Sequence, residues 1–450
     1  MGRLFGTDGV RGVANTELSP ELAYRLGRAV VSFLQEAEER PRIVIGKDTR
    51  LSGDLLEAAM MAGINSAGAD VLRLGVVSTP AVAYLARNLG AAGGVMISAS
   101  HNPAEYNGIK FFTRGGYKLP DEVEDRLEEL VRDHRDDLPR PTGEGVGRVL
   151  AAEGEVERYI QYLMSTLPGN LSGLKIVVDA ANGSASQIAP EVLRRLGVEV
   201  IPINDRPNGL NINVACGSTH PRGLQEAVLH HGADLGLAHD GDADRVMAVD
   251  EKGQVVDGDQ IMAICGLDLL RKGRLKENTI VATVMSNLGL DLAMKRAGGR
   301  VVKTKVGDRY VLEEMLKRDL TLGGEQSGHL IFLEHSTTGD GILTALQLLA
   351  VMREGDQPLS SLATVVQKMP QVLLNFRVKR KEGLEDNARI RKAIRSAEEE
   401  LGEMGRVLVR PSGTEPLVRV MLEGPEKRRL EELAQGIGQV IQEEMGREKE

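Results

Sequence analysis

Tryptophan is absent from this 450-residue chain, and its 6 Phe and 7 Tyr are too few to build a base-stacking platform. No basic patch interleaved with aromatics offsets the formal charge of -9, so nucleic acid is not an expected partner. Cysteine is as scarce: Cys216 and Cys265 are the only two and form no CxxC, which argues against a disulfide framework or a zinc site and fits a reducing compartment. No apolar run approaches the ~20 residues that span a bilayer. The N-terminal "MGRLFGTDGVRG" lacks the apolar core of a signal peptide, and Gly6 stands where a myristoylation site needs Ser or Thr. A cytoplasmic protein with no membrane partner is expected.

What the chain does have is glycine, 52 residues of it, in an ordinary background of 42% hydrophobic and 27% charged residues, as an α/β protein with many tight loops requires. The length exceeds a single hydrophobic core and predicts several domains. Three segments, starting at Arg42, Lys175 and Thr279, share one plan. Each has a short β-branched run, a loop of small and polar residues, an amphipathic helix, a glycine near its end and a second apolar strand. That pattern favours parallel pairing with a right-handed crossover. The C-terminal part reads differently: a strand "QVLLNFRVKR", a helix from about Leu384 to Leu401, strands "GRVLVRPSG" and "EPLVRVMLEG", and a helix from about Glu426. The expected fold class is therefore α/β, with three related mixed α/β domains over 1–152, 153–255 and 256–368 and a smaller α+β domain over 369–450. Residues 133–148, "DHRDDLPRPTGEGVGR", read as an exposed linker ending the first domain.

Ligands of open α/β sheets sit beyond the carboxyl ends of the strands, so the loops there carry the functional reading. After the apolar run Val95-Met96-Ile97 the first domain offers Ser100, with Lys110 just downstream. A serine in that position is most often a turn or cap residue, and no G-x-S-x-G elbow supports a hydrolase. The second domain offers "LAHDGDADRVMAVD". Asp240, Asp242 and Asp244 are three carboxylates that repel unless a hard cation, Mg²⁺ or Ca²⁺, binds them. An EF-hand is the rival, but its sixth position must be Gly and here is Arg245. A cation is preferred over a solvated acidic turn because apolar runs flank the charges. Mg²⁺ takes few carboxylates and borrows phosphate oxygens, which would give Ser100 a task if it carried a phosphate. The third loop, "GGEQSGHLIF", sets Glu325, Ser327 and His329 among glycines, either as a sugar-hydroxyl site or as a plain hairpin. In the fourth, "RPSGTEPLVRV", Arg410 and Arg419 flank Ser412, Gly413 and Thr414, which favours a phosphate cradle over a simple turn. Together these four loops fit a phosphorylated sugar.

The loops "SASHNP", "DGDADR", "GEQSGH" and "RPSGTEP" resemble the four signature loops of the α-D-phosphohexomutase superfamily, in order and across nearly the whole chain. The opening "FGTDGVRG", "KVGDRYV" and "GEQSGH" most resemble its branch acting on 2-amino sugars. Relatives acting on mannose or glucose phosphates tend to carry histidine where this chain has Asp308, which counts against those substrates. The resemblance implies four domains around a central active-site cleft and a phosphoserine at Ser100. It implies one Mg²⁺ per chain on Asp240, Asp242, Asp244 and the Ser100 phosphate. Lys110 and Arg11 would complete an electrostatic clamp and help move the proton, and Glu325, Ser327 and His329 would bind the sugar. Arg410, Ser412, Gly413, Thr414 and Arg419 would hold the phosphate that is not reacting, and Arg245 would lie against the phosphoserine or the acidic loop. The implied reaction interconverts glucosamine 6-phosphate and 1-phosphate through glucosamine 1,6-bisphosphate, towards UDP-N-acetylglucosamine and bacterial cell-wall precursors. A homodimer is common among such relatives.

Overall fold

The computed structural model describes residues 3–6, 8–34, 40–132, 138–412 and 415–446. The chain divides into two units, Met1–Met285 with Gly299–Val365, and Ser286–Gly298 with Val366–Glu450.

The first unit holds three mixed sheets. The run Arg42–Lys47 forms a strand because Ile43, Val44 and Ile45 are β-branched and all three are fully buried. It lies between Asp70–Val76 and Gly93–Ile97, parallel to both. Its sheet has seven strands, in the order Phe5–Gly6, Gly9–Val13, Tyr106–Thr113, Gly93–Ile97, Arg42–Lys47, Asp70–Val76 and Val149–Ala151. Helices Pro20–Leu34 and Ser52–Ser66 pack so closely beside this sheet that a Cβ on Gly63 would lie 2.2 Å from the carbonyl oxygen of Tyr24. Of the expected linker, 133–137 lie outside the described residues, and after residue 148 the chain adds the edge strand Val149–Ala151 beside Asp70–Val76.

The second sheet has five strands, in the order Val255–Val256, Val246–Asp250, Leu235–His239, Lys175–Asp179 and Glu199–Ile203. The third has four, Arg300–Thr304, Thr279–Thr283, Leu322–Gly324 and Leu330–Phe332. The repeated plan read from the sequence appears here as three parallel pairs. Arg42–Lys47 pairs with Asp70–Val76, Lys175–Asp179 with Glu199–Ile203, and Thr279–Thr283 with Arg300–Thr304. Each sheet then gains antiparallel neighbours: Tyr106–Thr113 beside Gly93–Ile97, Val246–Asp250 beside Leu235–His239, and Leu330–Phe332 beside Leu322–Gly324. All three of these antiparallel pairs join directly through a functional loop, so the Ser100 loop, the acidic loop and "GEQSGH" are hairpin connections.

The second unit is an antiparallel sheet in the order Gln371–Arg377, Leu417–Glu423, Arg406–Pro411. Helices Ala388–Leu401 and Lys427–Met445 bury Ile390, Leu430, Ile437 and Ile441 in one core with Val418, Val420 and Leu422, whose period of two marks the sheet face. The first of these helices begins later than expected because Asn387 is its cap, accepting from the N–H groups of Arg389 (2.9 Å) and Ile390 (3.1 Å). Among the described residues no helix is long and apolar enough to cross a membrane.

Candidate active site

Strand Gly93–Ile97 delivers the chain to Ser100, a fully buried residue with φ of 52°. A side chain in this left-handed region costs roughly 1–2 kcal/mol, so surrounding contacts must impose the conformation. The outcome is that Ser100 Oγ donates to Asp240 Oδ2 at 2.6 Å. Two loops far apart in sequence come together here, and Gly241 is what lets them: a Cβ on it would lie 2.5 Å from the Ser100 carbonyl oxygen.

The acidic loop follows strand Leu235–His239 and returns through Val246–Asp250. Ligand oxygens of Asp240, Asp242 and Asp244 lie within 4.8 Å of one another, and all three residues are buried. Asp242 Oδ2 accepts from Thr79 Oγ1 at 2.6 Å and from Lys110 Nζ at 2.7 Å. Asp242 Oδ1 and Asp244 Oδ1 are buried without a hydrogen-bond partner. Burial first, and then the charges of Asp244 and Asp242, push the Asp240 carboxyl well above the usual carboxylate range. Burial acts the same way on Asp244, but Lys110 foremost, then His329, outweighs it and holds that carboxyl low. Three buried carboxylates that disfavour joint ionisation, with two orphaned oxygens among them, fit a hard divalent cation.

Lys110, 1% exposed, lies among carboxylates: 2.7 Å from Asp242, 2.8 Å from Asp8 and 3.6 Å from Asp244. Burial opposes its charge, yet Asp242, Asp8 and Asp244 raise its pKa far above the ordinary lysine value. Asp8 also pairs with Arg11 and with Lys118, and Lys118 reaches Asp308 at 2.5 Å. His329 closes the circuit, with Nε2 3.4 Å from Asp308 and Nδ1 3.5 Å from Asp244. The charges therefore run in a ring from Lys110 through Asp8, Lys118, Asp308 and His329 to Asp244.

A cavity of about 540 Å³ opens beside this ring, lined by Arg11, His101, Arg245, Asp308, Glu325 and His329 among others. That volume suits a small ligand. Glu325 Oε1 accepts from the Gly307 N–H at 3.1 Å, while the Ser327 hydroxyl is buried with no partner. Arg245 stands 3.9 Å from Asp240 and 3.7 Å from Asp244, and its Nη1 is 3.3 Å from His101 Nδ1. The same His101 nitrogen is 3.4 Å from Ser100 Oγ. Burial first, then the Arg245 charge, lowers the His101 imidazole to about 4, so it is neutral near pH 7. Ser100, Lys110, Arg11, Arg245, the three aspartates, Glu325, Ser327 and His329 thus share one neighbourhood in the first unit.

In the second unit Arg410 and Arg419 are direct cross-strand partners. Like charges placed opposite one another are unfavourable in a sheet. Burial, and then the Arg419 charge, lowers the Arg410 guanidinium pKa. Ser412 lies two residues beyond Arg410, after Pro411, and its carbonyl accepts from Lys381 Nζ at 2.7 Å. Gly413 and Thr414 lie outside the described residues.

Several neighbours of these groups were not singled out from the sequence: Asp8, Asp48, Arg50, Thr79, Lys118 and Asn213. Asp48 and Arg50 had a usable signal, since charges directly after the buried strand Arg42–Lys47 stand at a sheet's carboxyl end. Asn213 had none.

The chain matches the phosphoglucomutase/phosphomannomutase family in all its parts: alpha/beta/alpha domain I over residues 2–137, domain II over 157–253, domain III over 257–369 and the C-terminal domain over 373–439. It is 60% identical to a phosphoglucosamine mutase of Symbiobacterium thermophilum, across 99% of this chain and 100% of that protein. A phosphoglucosamine mutase of Desulforudis audaxviator is 59% identical, across 98% of each. Among solved structures, a phosphoglucomutase/phosphomannomutase family protein from Burkholderia thailandensis has the same fold, with a TM-score of 0.83 at 24% identity over 99% of this chain and 98% of that one. An Aspergillus fumigatus N-acetylphosphoglucosamine mutase, solved with GlcNAc-6P and magnesium, has a TM-score of 0.67 at 18% identity over 98% and 96% of the chains.

Proposed function

The chain belongs to the phosphoglucomutase/phosphomannomutase family, and from that membership we propose that it interconverts α-D-glucosamine 6-phosphate and α-D-glucosamine 1-phosphate through a phosphoserine at Ser100. The observation that carries this reading is the 2.6 Å bond from Ser100 Oγ to Asp240, inside a carboxylate trio with two unpartnered oxygens. Relatives named phosphoglucosamine mutase at 60% and 59% identity supply the substrate class.

In the forward half-reaction the phosphoryl group leaves Ser100 Oγ and bonds to a hydroxyl oxygen of the bound sugar monophosphate. The hydroxyl proton ends on Ser100 Oγ, and glucosamine 1,6-bisphosphate results. That molecule reorients and returns its other phosphate to Ser100, so the enzyme is restored and the isomer released. Asp240, Asp242 and Asp244, with a phosphate oxygen on Ser100, would hold one Mg²⁺, which when bound supplies positive charge against the transferring phosphoryl group. Three carboxylate neighbours favour the charged form of Lys110. It completes an electrostatic clamp with Arg11, and the two help move the proton. Arg245 bridges the acidic loop and His101. Glu325, Ser327 and His329 bind the sugar hydroxyls. In the second unit, Arg410, Ser412, Gly413, Thr414 and Arg419 supply a grip for a substrate phosphate.

The same reading takes the chain as four domains over 1–152, 153–255, 256–368 and 369–450. It carries with it a cytoplasmic location, a possible homodimer, and no nucleic-acid or membrane partner. The test is turnover of glucosamine 6-phosphate with Mg²⁺ against mannose and glucose 1-phosphates. The proposal expects kcat/KM highest for the amino sugar; a higher value for either of the others would leave the chemistry and overturn the substrate. Binding without turnover, equal in wild type and Ser100→Ala, would make the chain a phosphosugar-binding protein instead.

A further inference from the structure

The side chain of Arg50 is completely buried, and all three of its guanidinium nitrogens are engaged. Nε donates to Asp48 Oδ2 at 2.8 Å. Nη1 donates to the carbonyls of Tyr106, at 3.1 Å, and Pro103. Nη2 donates to the carbonyls of Ser100 and Asn102, each at 2.9 Å. A second donor converges on the last two oxygens: Asn213 Nδ2, from the loop after strand Glu199–Ile203, lies 2.9 Å from Ser100 O and 3.1 Å from Asn102 O. The amide side of Ser100 is tied as well. Its N–H donates to Ser98 Oγ at 2.9 Å, and Ser98 Oγ donates to Asp48 Oδ2 at 2.6 Å. Asp48 thereby links the support of the N–H to that of the carbonyl.

Ser100 needs such support, because φ of 52° is a conformation a serine does not keep unaided. Relaxation about that bond would swing Oγ off Asp240. Arg50 and Asn213 touch neither Oγ nor the carboxylate trio, so their effect reaches the reaction only through the backbone of Ser100. They arise from different sheets, and both must be in place for the pair of oxygens to be doubly held.

We propose that Arg50 and Asn213 are positioning residues for the nucleophile: a two-donor clamp on the Ser100 and Asn102 carbonyls that fixes the left-handed serine against the acidic loop. This rests on Ser100 being the phosphoryl carrier. The clamp governs the phosphoryl-transfer steps in both directions and leaves the affinity for the sugar phosphate alone. It also makes the geometry of the phosphoserine dependent on a residue of the acidic loop's own sheet domain.

The experiment compares Arg50→Met, Asn213→Ala, the double variant and Ser100→Ala with wild type. Steady-state turnover is measured first, then single-turnover phosphoryl transfer from glucosamine 1,6-bisphosphate and the ³¹P resonance of the phosphorylated enzyme. A displaced nucleophile should cost about 100-fold in kcat for Arg50→Met and about 10-fold for Asn213→Ala, with KM within about 2-fold. The double variant should be little worse than Arg50→Met, and the phosphoserine resonance should shift or broaden in each. Folded single variants with wild-type kcat, losses confined to KM, or effects that multiply in the double variant would overturn the clamp. If Arg50→Met does not fold, Asn213→Ala decides by the same readings. Wild-type turnover by Ser100→Ala would remove the phosphoserine reading itself, whereas an inactive Ser100→Ala beside fully active clamp variants removes the clamp alone.

Discussion

Ser100 Oγ and Asp240 Oδ2 stand 2.6 Å apart across 140 residues of sequence. That bond joins the loop after one sheet to the acidic loop after another and sets a hydroxyl at the edge of a buried carboxylate trio. Nothing local in either loop requires the partnership. It depends on Gly241, where any side chain would press on the Ser100 carbonyl.

The first prediction concerns the trio. Asp240→Asn keeps an acceptor for Ser100 Oγ but removes a charge. Chelation should abolish wild-type turnover and added Mg²⁺ should restore it, while Asp240→Asn should stay at least about 100-fold down at any Mg²⁺ concentration. Mg²⁺ should also raise the unfolding temperature of the wild type, since a ligand at 100 times its Kd adds about 2.7 kcal/mol, and should do so less in the variant. Turnover that survives chelation would contradict this.

Much of this site was legible because its chemistry is concentrated in short runs. "SASHNP" and "DGDADR" announce themselves through small residues and alternating carboxylates after apolar strands, and three parallel strand pairs follow from the repeated β-branched runs. Lys118 and Asn213 were not, because each stands alone in sequence. Lys118 reads as a surface lysine until the fold sets it between Asp8 and Asp308, and Asn213 is one polar residue in a polar loop. One helix start falls later than the sequence suggests for a local reason: Asn387 caps the helix, which begins at Ala388 and not at about Leu384.

Lys110 should be the costliest single cation to lose. Lys110→Met leaves the fully buried Asp242 without its cation and takes one of three cations from Asp8, and breaking such a buried pair costs about 3–5 kcal/mol. Urea unfolding should show that loss, and adding Asp8→Asn should recover part of it. An Asp8→Asn change that adds its own full penalty on top would contradict the ring of alternating charges.

His239 supplies a pH prediction. Burial lowers its imidazole from 6.5 to about 4, outweighing the hydrogen bond to Arg245 O. In that window the unfolded chain binds a proton that the folded chain refuses. Stability is therefore lost as pH falls from 6.5 towards 4, by about 3 kcal/mol for this group. His239→Gln should flatten the decline of the unfolding midpoint over that range. An unchanged slope would show that His239 is not the group responsible.

Arg410 and Arg419 oppose each other across neighbouring strands, an arrangement that favours an anion. Arg410→Ala should weaken phosphosugar use, because a charged hydrogen bond contributes about 1.5–3 kcal/mol, or roughly 10- to 100-fold in kcat/KM. Steady-state kinetics of the variant beside wild type test this, and an unchanged kcat/KM would contradict it.

The most direct measurement is of the carrier itself. The protein is incubated with glucosamine 1,6-bisphosphate and Mg²⁺, freed of sugar, and mapped by peptide mass before and after a chase with glucosamine 6-phosphate. The account predicts one phosphate on the peptide containing Ser100, fully discharged into sugar bisphosphate by the chase. A phosphate on any other residue, or one on Ser100 that the chase cannot remove, would contradict it.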